Sequence, residues 1–501
     1  MSRHAVRAFA WRASLGMALV VSSAPPRVLL AQQVKTKIAS FDRRVAPTAG
    51  KTPELRVPAW TKMPLSNGAQ LVVSEKHGLP LVSFQINFVG GANQYEPTGK
   101  TGLASFVASM LTEGTTHRTG DQISNDLQLL GTNVSTSIAG ESGRMAFLST
   151  KDKFAPTLAI LADLLENPTF PPDALERLRS RTIIALTQNR DRTSGIASVV
   201  FPKVLYTTDH PYGRVVTEAT AKAITRDDLL SFYKSYFQPG HAVITVVGDV
   251  KPDAVKQTIE TALAGWSAGG SLPSFSYPAP PPPKATTIYL VDKPGAAQST
   301  FALGEVGPPR DTPDYYALRV MNEILGVLFQ SRLNHNIREV KGYSYGVSSS
   351  FAFGRGPGAF HAGGEIVTAK SDSALIEFMK ELRDIRGPRP PSDDELAQGK
   401  ASLVQSLPAT FASVNGVNGN IASIYTQGLP EDYFKRFAAA VGAVTKDDVV
   451  RVAQKYIDPD HLAIVIVGDR SKIEGPLAAT KIAPIVWLDV DGNPIPNKVT
   501  P

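Results

Sequence analysis

Thr225 opens the stretch TRDDLLSFYKSYFQPGHAVITVVGD (225–249), and Thr445 opens a second copy, TKDDVVRVAQKYIDPDHLAIVIVGD (445–469). The register holds at Pro239/Pro459, His241/His461 and Gly248/Gly468. Each copy reads as a helix N-capped by Thr, a turn at Pro, and a strand of alternating apolar residues ending in Gly-Asp. The openings match more weakly: LVVSEKHGLPLVSFQINF from Leu71 and IYLVDKPGAAQSTFALGE from Ile288 keep Lys, Gly and Phe in register. A period this long is the duplication of a domain, because solenoid repeats are far shorter.

The seam between the copies is AGGSLPSFSYPAPPPPKATT (268–287), a Gly/Ser stretch followed by a proline run. That composition predicts a semi-rigid extended linker rather than core. It separates a first domain, 59–267, from a second, 288–475. Residues 32–58 and 476–501, rich in Pro and polar residues, read as peripheral arms. Each half opens with strands in hairpin-like pairs, continues with several helices and closes with a helix–strand unit. The expected class is α+β, two homologous domains each built from a mainly antiparallel sheet packed with helices.

A chain of 501 residues exceeds one hydrophobic core, in keeping with two domains. Residues 1–31 stand apart from the rest. Arg3, His4, Arg7 and Arg12 precede the uncharged, mostly apolar run Ala13–Ala24, and Ala31 supplies a small residue before Gln32. This is the layout of a secretory signal peptide cleaved after Ala31, and it predicts a periplasmic or secreted protein. Removing it takes Arg3, Arg7, Arg12 and Arg27 and no acid, so the formal charge falls from +7 to +3. No Lys/Arg stripe interleaved with aromatics points to nucleic acid, and no later segment is apolar for long enough to span a membrane. The chain has no Cys, which excludes disulfides, thiolate metal sites and Cys nucleophiles.

One helix raises a chemical question. In GLASFVASMLTEGT (102–115), Leu103, Phe106, Val107, Met110 and Leu111 recur at helical spacing and define one buried face. The other face carries Ser105, Ala108, Ser109 and Thr112, all small. A Ser nucleophile there would need a positioned base and oxyanion donors, and no GxSxG or SxxK spacing surrounds either Ser.

The segments GGANQYEPTGKTGLASFVASMLTEGT, ENPTFPPDALERLR, HPYGR and SRLNHNIREVKGYSYGVSSSF, followed by GPGAF, together resemble the pitrilysin/insulinase family of zinc metallopeptidases, which includes the mitochondrial processing peptidases. The likeness runs over residues 60 to 475. In that family the 102–115 helix carries HxxEH: two His at i and i+4 ligate zinc, and the intervening Glu acts as general base. The matching positions here are Ser105, Ala108 and Ser109, so both ligands and the base are replaced. The third ligand, a Glu on a later helix, has no counterpart in Thr182–Asn189, and Asp191 just beyond reads as a turn residue. The resemblance therefore implies no metal on this chain, and small residues that let the helix pack where a metal site would have been. His241 and His461, at equivalent turns, read as structural.

Active family members also carry an Arg and a Tyr at i and i+7 in the C-terminal domain. Arg338 and Tyr345 match them. Arg338 falls near the end of a helical stretch whose first turns bury Met321, Ile324, Leu325 and Leu328, with Gly342 ending it and Tyr343–Phe353 alternating as a strand. On spacing alone, Tyr345 shares a strand face with Val347 and Phe351 and reads equally as core. Glu339 and Lys341 read as solvated charges. Some members have a glycine-rich substrate loop nearby; here only Gly326 remains. In the family's two-subunit enzymes one partner supplies HxxEH and the other the Arg/Tyr pair. The resemblance thus implies a non-catalytic, substrate-binding subunit of a heterodimeric exported metalloendopeptidase acting on unfolded peptides, with zinc on a homologous HxxEH partner. The alternative is a non-enzymatic peptide-binding or scaffold protein of the same descent.

Overall fold

The computed structural model describes residues 55–267, 274–282 and 284–496. The segment 1–31, the arm up to residue 54, linker residues 268–273 and 283, and residues 497–501 lie outside the described residues. The described chain forms two six-stranded sheets, each packed with helices, as the α+β reading expects. The first contains β1 (Thr61–Pro64), β2 (Gln70–Glu75), β3 (Leu81–Val89), β4 (Ser135–Ile138), β5 (Ser142–Thr150) and β6 (Ala242–Gly248). The second contains β7 (Thr287–Asp292), β8 (Gln298–Val306), β9 (Ser344–Phe351), β10 (Ala359–Val367), β11 (Ala463–Gly468) and β12 (Ile485–Leu488).

The strand orders, β1-β2-β6-β3-β5-β4 and β12-β7-β11-β8-β10-β9, display the duplication directly. They also correct the hairpin reading of the openings. β2 and β3 do not pair; β6 inserts between them, parallel to β2 and antiparallel to β3. β11 does the same between β7 and β8. β4–β5 and β9–β10 are paired as antiparallel neighbours. A strand in that central position is covered on both faces, so VITVVG and AIVIVG are near-continuous apolar runs rather than alternating ones.

The inner cover of each sheet is donated by the other half. The helix Thr193–Tyr206 packs on β8 and β11, with Ile196, Ala197 and Val200 buried against Val291, Ala302, Val465 and Val467. Its counterpart in the second half, the helix Val414–Thr426, packs on β3 and β6, with Val417 and Ile421 in one core with Val72 and Val247. Asn418, fully buried in that contact, donates from Nδ2 to Ser83 O (2.8 Å), Ser83 Oγ (3.0 Å) and Thr245 O (3.2 Å). These helices lie in stretches where the two copies share little sequence, and the exchange becomes visible only in three dimensions.

Both arms contribute more than periphery. The helix Arg470–Ala479 buries Ile473 and Leu477, and β12 extends the second sheet parallel to β7. The second domain therefore runs past residue 475, because apolar Ile485 and Leu488 find an open edge beside β7. Arg470 stacks over Trp487, with Cζ 3.5 Å from the ring centroid. Leu55 and Val57 pack on the second core. The described part of the linker has neither helix nor strand before β7, but Tyr277 is anchored: its hydroxyl donates to Glu141 (2.7 Å) and accepts from Gln94 Nε2 (2.7 Å).

Glu305, at the end of β8, gives this fold a pH dependence. Burial pushes its carboxyl up to about 8; the Asp458 charge adds to the shift, while the Asp458 N–H (2.6 Å) and the Arg386 charge oppose it. Between the ordinary value of 4.5 and about 8 the folded chain keeps a proton that the unfolded chain has lost, so stability falls as pH rises through this window. Glu305→Gln removes that dependence and keeps the acceptor for Asp458. In thermal unfolding, the midpoint of the variant should rise relative to wild type on going from pH 5 to pH 8. A constant difference across that range would contradict the assignment.

Candidate functional site

The helix Leu103–Met110 is held at its start by Glu96, whose carboxylate accepts from the N–H groups of Gly102 (3.0 Å) and Ala104 (2.8 Å). A carboxylate there satisfies donors that the first turn leaves open and complements the helix dipole. Leu103, Phe106, Val107, Met110 and Leu111 are all buried, as their spacing predicts. The small face behaves differently from expectation. Ser105 and Ser109 are exposed and Thr112 is half-buried; only Ala108 is covered, beside β4, where Thr136 Oγ donates to Ala108 O (2.6 Å). The helix does not repack over the vacated position. One side of a helix against a sheet is enough to hold it, and hydroxyls are content in water.

The residues here do not fit zinc. Two serine hydroxyls stand where the family's zinc-binding imidazoles lie, and a methyl group stands where its general-base carboxylate lies; hydroxyls bind this ion poorly. On the facing helix, Pro172–Asn189, Arg177 and Arg181 are both directed at Glu113 (3.2 and 3.9 Å). Asp191 pairs with Lys293 (3.4 Å) at the turn beyond. Among the described residues, no group of three or more His, Asp or Glu side chains is arranged to hold a metal ion. Ser105 and Ser109 have no side-chain hydrogen bond to a basic group among the described residues, so neither is set up as a nucleophile.

The second half holds the better-built site. The expected single helix before Arg338 is two. Tyr315–Asn322 continues as a wider turn, Glu323–Val327, then breaks at Leu328 (φ −61°, ψ 148°). It restarts at Arg332 and runs through a second wide turn, His335–Val340, to Gly342 at φ +65°. Leu328 is half-buried instead of buried, and Val327 and Phe329 point outward, 50% and 62% exposed.

Close approach to β9 fixes this break. A Cβ on Gly326 would stand 2.3 Å from both the N and the Oγ of Ser349, so only glycine fits. Asn322 Nδ2 donates to Ser349 O (3.0 Å), and Ser349 Oγ donates to Asn322 Oδ1 (2.6 Å). Buried Asn334 closes the other side: its Nδ2 donates to Phe329 O (2.6 Å) and its Oδ1 accepts from Val347 N (3.3 Å). Widened turns of this kind recur at functional sites because they re-aim side chains without ending the helix.

Arg338 and Tyr345 fall on elements that pack together, the turn His335–Val340 and β9. Arg338 is half-buried, with Cζ 4.3 Å from the Phe329 ring centroid, and forms no ion pair among the described residues. Tyr345 is 92% exposed, which rules out the core reading. A bulge explains it. Ser344 pairs with Ile366 and Val347 with Gly364, so Tyr345 and Gly346 share Glu365. That extra residue breaks the alternation that would have placed Tyr345 with buried Val347. Ser344 Oγ staples the bulge, donating to Glu365 O (2.6 Å) and accepting from Gly346 N (3.0 Å). Glu339 and Lys341 pair locally, with His335 (3.2 Å) and Glu377 (2.8 Å).

Phe329, Asn322 and Asn334 escape a reading of the sequence because they sit inside an apparently continuous helical pattern. A cavity of about 990 Å³ lies elsewhere, beyond the end of the 103–110 helix. Its main charges are already matched: Arg118 with Asp163 (2.6 Å), Arg177 with Glu113.

Two family models match the chain: Insulinase (Peptidase family M16) over residues 71–208 and Peptidase M16 inactive domain over residues 223–403. The chain belongs to this family, and it is an inactive member. A non-peptidase homologue from Helicobacter pylori is 23% identical over 80% of this chain and 92% of its own length. A probable mitochondrial-processing peptidase subunit beta from Schizosaccharomyces pombe is 22% identical over 88% and 96%. The solved peptidase M16 inactive domain from Pseudomonas fluorescens shares the fold, with a TM-score of 0.75 at 24% identity, covering 82% of this chain and 98% of that one.

The geometry predicts an asymmetry between the two sites. Gly326→Ala should cost about 1–3 kcal/mol in denaturant unfolding, because its methyl group meets β9. Ser105→Ala and Ser109→Ala should each stay within about 0.5 kcal/mol. Equal, small effects at all three positions would mean that the break is not pinned as described.

Proposed function

We propose that this chain is the non-catalytic, substrate-binding subunit of a heterodimeric zinc metalloendopeptidase that acts on unfolded peptides outside the cytoplasm. A homologous partner bearing HxxEH would hold the zinc, and this chain would supply Arg338 and Tyr345 to the shared site. The observation that carries the reading is the contrast within one molecule. The zinc-motif positions are occupied by Ser105, Ala108 and Ser109, while Arg338 lacks a counter-ion among the described residues and Tyr345 projects its hydroxyl into solvent. A fully exposed Tyr on a stapled bulge and an unmatched Arg serve no purpose in the core of this chain, but both are hydrogen-bond donors that a bound peptide can use. The arginine-rich, apolar beginning of the chain supports export, with cleavage after Ala31.

Peptide hydrolysis builds negative charge on the scissile carbonyl oxygen. Preorganised donors aimed at that oxygen stabilise it more than water can, since they need no reorganisation as the charge develops. The Tyr hydroxyl gives one directional donor, and the Arg guanidinium a rigid fork with permanent charge. Donors that instead grip substrate backbone would act equally on ground and transition states.

The test is a complex reconstituted with the HxxEH partner. Tyr345→Phe removes one hydroxyl from an exposed position, and Arg338→Lys keeps charge but loses the fork. Both variants should assemble normally and hydrolyse peptide more slowly, by on the order of 10²–10³ in kcat if the donors meet the oxyanion. A loss confined to KM would assign them to substrate grip. Wild-type kcat and KM for both would remove the shared-site mechanism. The second reading, a peptide-binding or scaffold protein, is favoured by the similarity to a non-peptidase homologue. It would gain if the chain copurified only as a monomer or homodimer while the HxxEH homologue was fully active alone.

A further inference from the structure

Several charged groups around the helix break are matched, but Arg338 and the buried Glu323 have no ion pair among the described residues. His335 meets Glu339, Lys341 meets Glu377, and the buried Arg332 meets Glu395 at 2.7 Å. Arg338 meets only an aromatic face among the described residues, its Cζ 4.3 Å from the centroid of Phe329. A cation held over a ring face at this distance keeps N–H donors that the ring does not satisfy, and none of them has an acceptor among the described residues. The ring contact also restricts the side chain to one orientation, so less freedom is lost when those donors bind something. The ring beneath is itself 62% exposed, with Val327 beside it in the same break. The surface therefore offers a fixed, unmatched cation rimmed by apolar groups.

The complement of such a surface is a carboxylate next to an apolar side chain. A carboxylate accepts two parallel N–H bonds from one guanidinium edge, a geometry that a single carbonyl oxygen cannot match. The acids of this chain limit where it would sit. Glu365 is exposed and lies across the bulge from Tyr345, which disfavours an anion at that end of β9. The Phe329 end has no carboxylate paired to Arg338 among the described residues.

We propose that Arg338 and Phe329 together select peptides carrying a carboxylate beside an apolar residue: the guanidinium rim takes the carboxylate, and Phe329 and Val327 take the apolar side chain. The inference rests on the reading of this chain as a substrate-binding subunit; it assigns Arg338 to substrate grip and leaves Tyr345 as the oxyanion donor. It narrows the substrates from unfolded peptides in general to acidic–apolar segments. Phe329 is then a specificity-determining residue, because it both orients the cation and forms the apolar floor. The carboxylate can come from an acidic side chain or from a chain end.

Fluorescence anisotropy with the purified full chain and no partner tests this. Three fluorescein-labelled peptides share one Gly/Ser/Ala background: one with an internal Leu-Glu and an amidated end, one with Leu-Gln and an amidated end, and one amide-rich peptide ending in Leu with a free carboxylate. The Leu-Glu peptide should bind about tenfold tighter than the Leu-Gln peptide, the size of one charge-assisted pair. Arg338→Gln should abolish that preference without moving the thermal midpoint. Phe329→Leu, which keeps apolar area but removes the ring, should narrow it. Tight binding of the third peptide would assign the carboxylate to a chain end, and weak binding to a side chain; both agree with the proposal. Equal affinity for Leu-Glu and Leu-Gln, or a preference that survives Arg338→Gln, would overturn it. Because no partner is present, a failed peptide preference leaves the subunit reading standing, and a failed association leaves the peptide result standing.

Discussion

Each sheet of this protein is sealed on one face by a helix from the other half: Thr193–Tyr206 lies on β8 and β11, and Val414–Thr426 lies on β3 and β6. Val200, Val417 and Ile421 are at most 1% exposed in these contacts. Full burial of each such side chain is worth roughly 1.5–3 kcal/mol, so the exchange binds the halves far more strongly than a linker could. It also dictates the sequence of the central strands. β6 and β11 have no solvent face, which explains their unbroken apolar runs and their place between strands that are far earlier in the chain. The described residues accordingly behave as one compact unit and not as two beads on a string.

On that rigid base the two halves treat the same arrangement differently. In each, a helix lies beside an edge strand: Leu103–Met110 beside β4, and the broken helix from Tyr315 beside β9. In the first half the contact is plain, a Thr136 hydroxyl on a backbone carbonyl, and the outward face is left with serines. In the second half Asn322, Gly326, Ser349 and Asn334 hold the backbone in a shape that neither helix nor strand adopts unaided. Buried amides with both ends satisfied specify a conformation more than they add stability. The outcome is that Phe329, Arg338 and Tyr345 are presented by fixed backbone, as a binding site requires.

The duplication is legible in the sequence because both copies keep local signals: Thr225 and Thr445 each cap a helix through a reciprocal bond with an Asp at the third helical position. The buried face of the 103–110 helix is legible from spacing, and the loss of metal chemistry from residue types alone. Other features depend on partners distant in sequence. β6 closes the first domain and β2 nearly opens it, and no local pattern reports their pairing. The break at Leu328 hides in an apolar periodicity that would suit an unbroken helix. The bulge at Tyr345 depends on how β9 and β10 slip past one another, which the alternation in β9 conceals. β12, Ile485–Leu488, is too short to distinguish from an arm.

In the proposed function this chain completes an active site whose metal lies on a partner. The most direct measurement titrates the HxxEH partner with this chain and follows the initial rate of peptide hydrolysis together with bound zinc. The partner alone should be nearly silent, and the rate should rise to a plateau at one chain per partner. Zinc should remain at one per pair, with far less than one per chain in this protein alone. A partner fully active without this chain, or near-equimolar zinc and chelator-sensitive hydrolysis in this chain by itself, would contradict the proposed function.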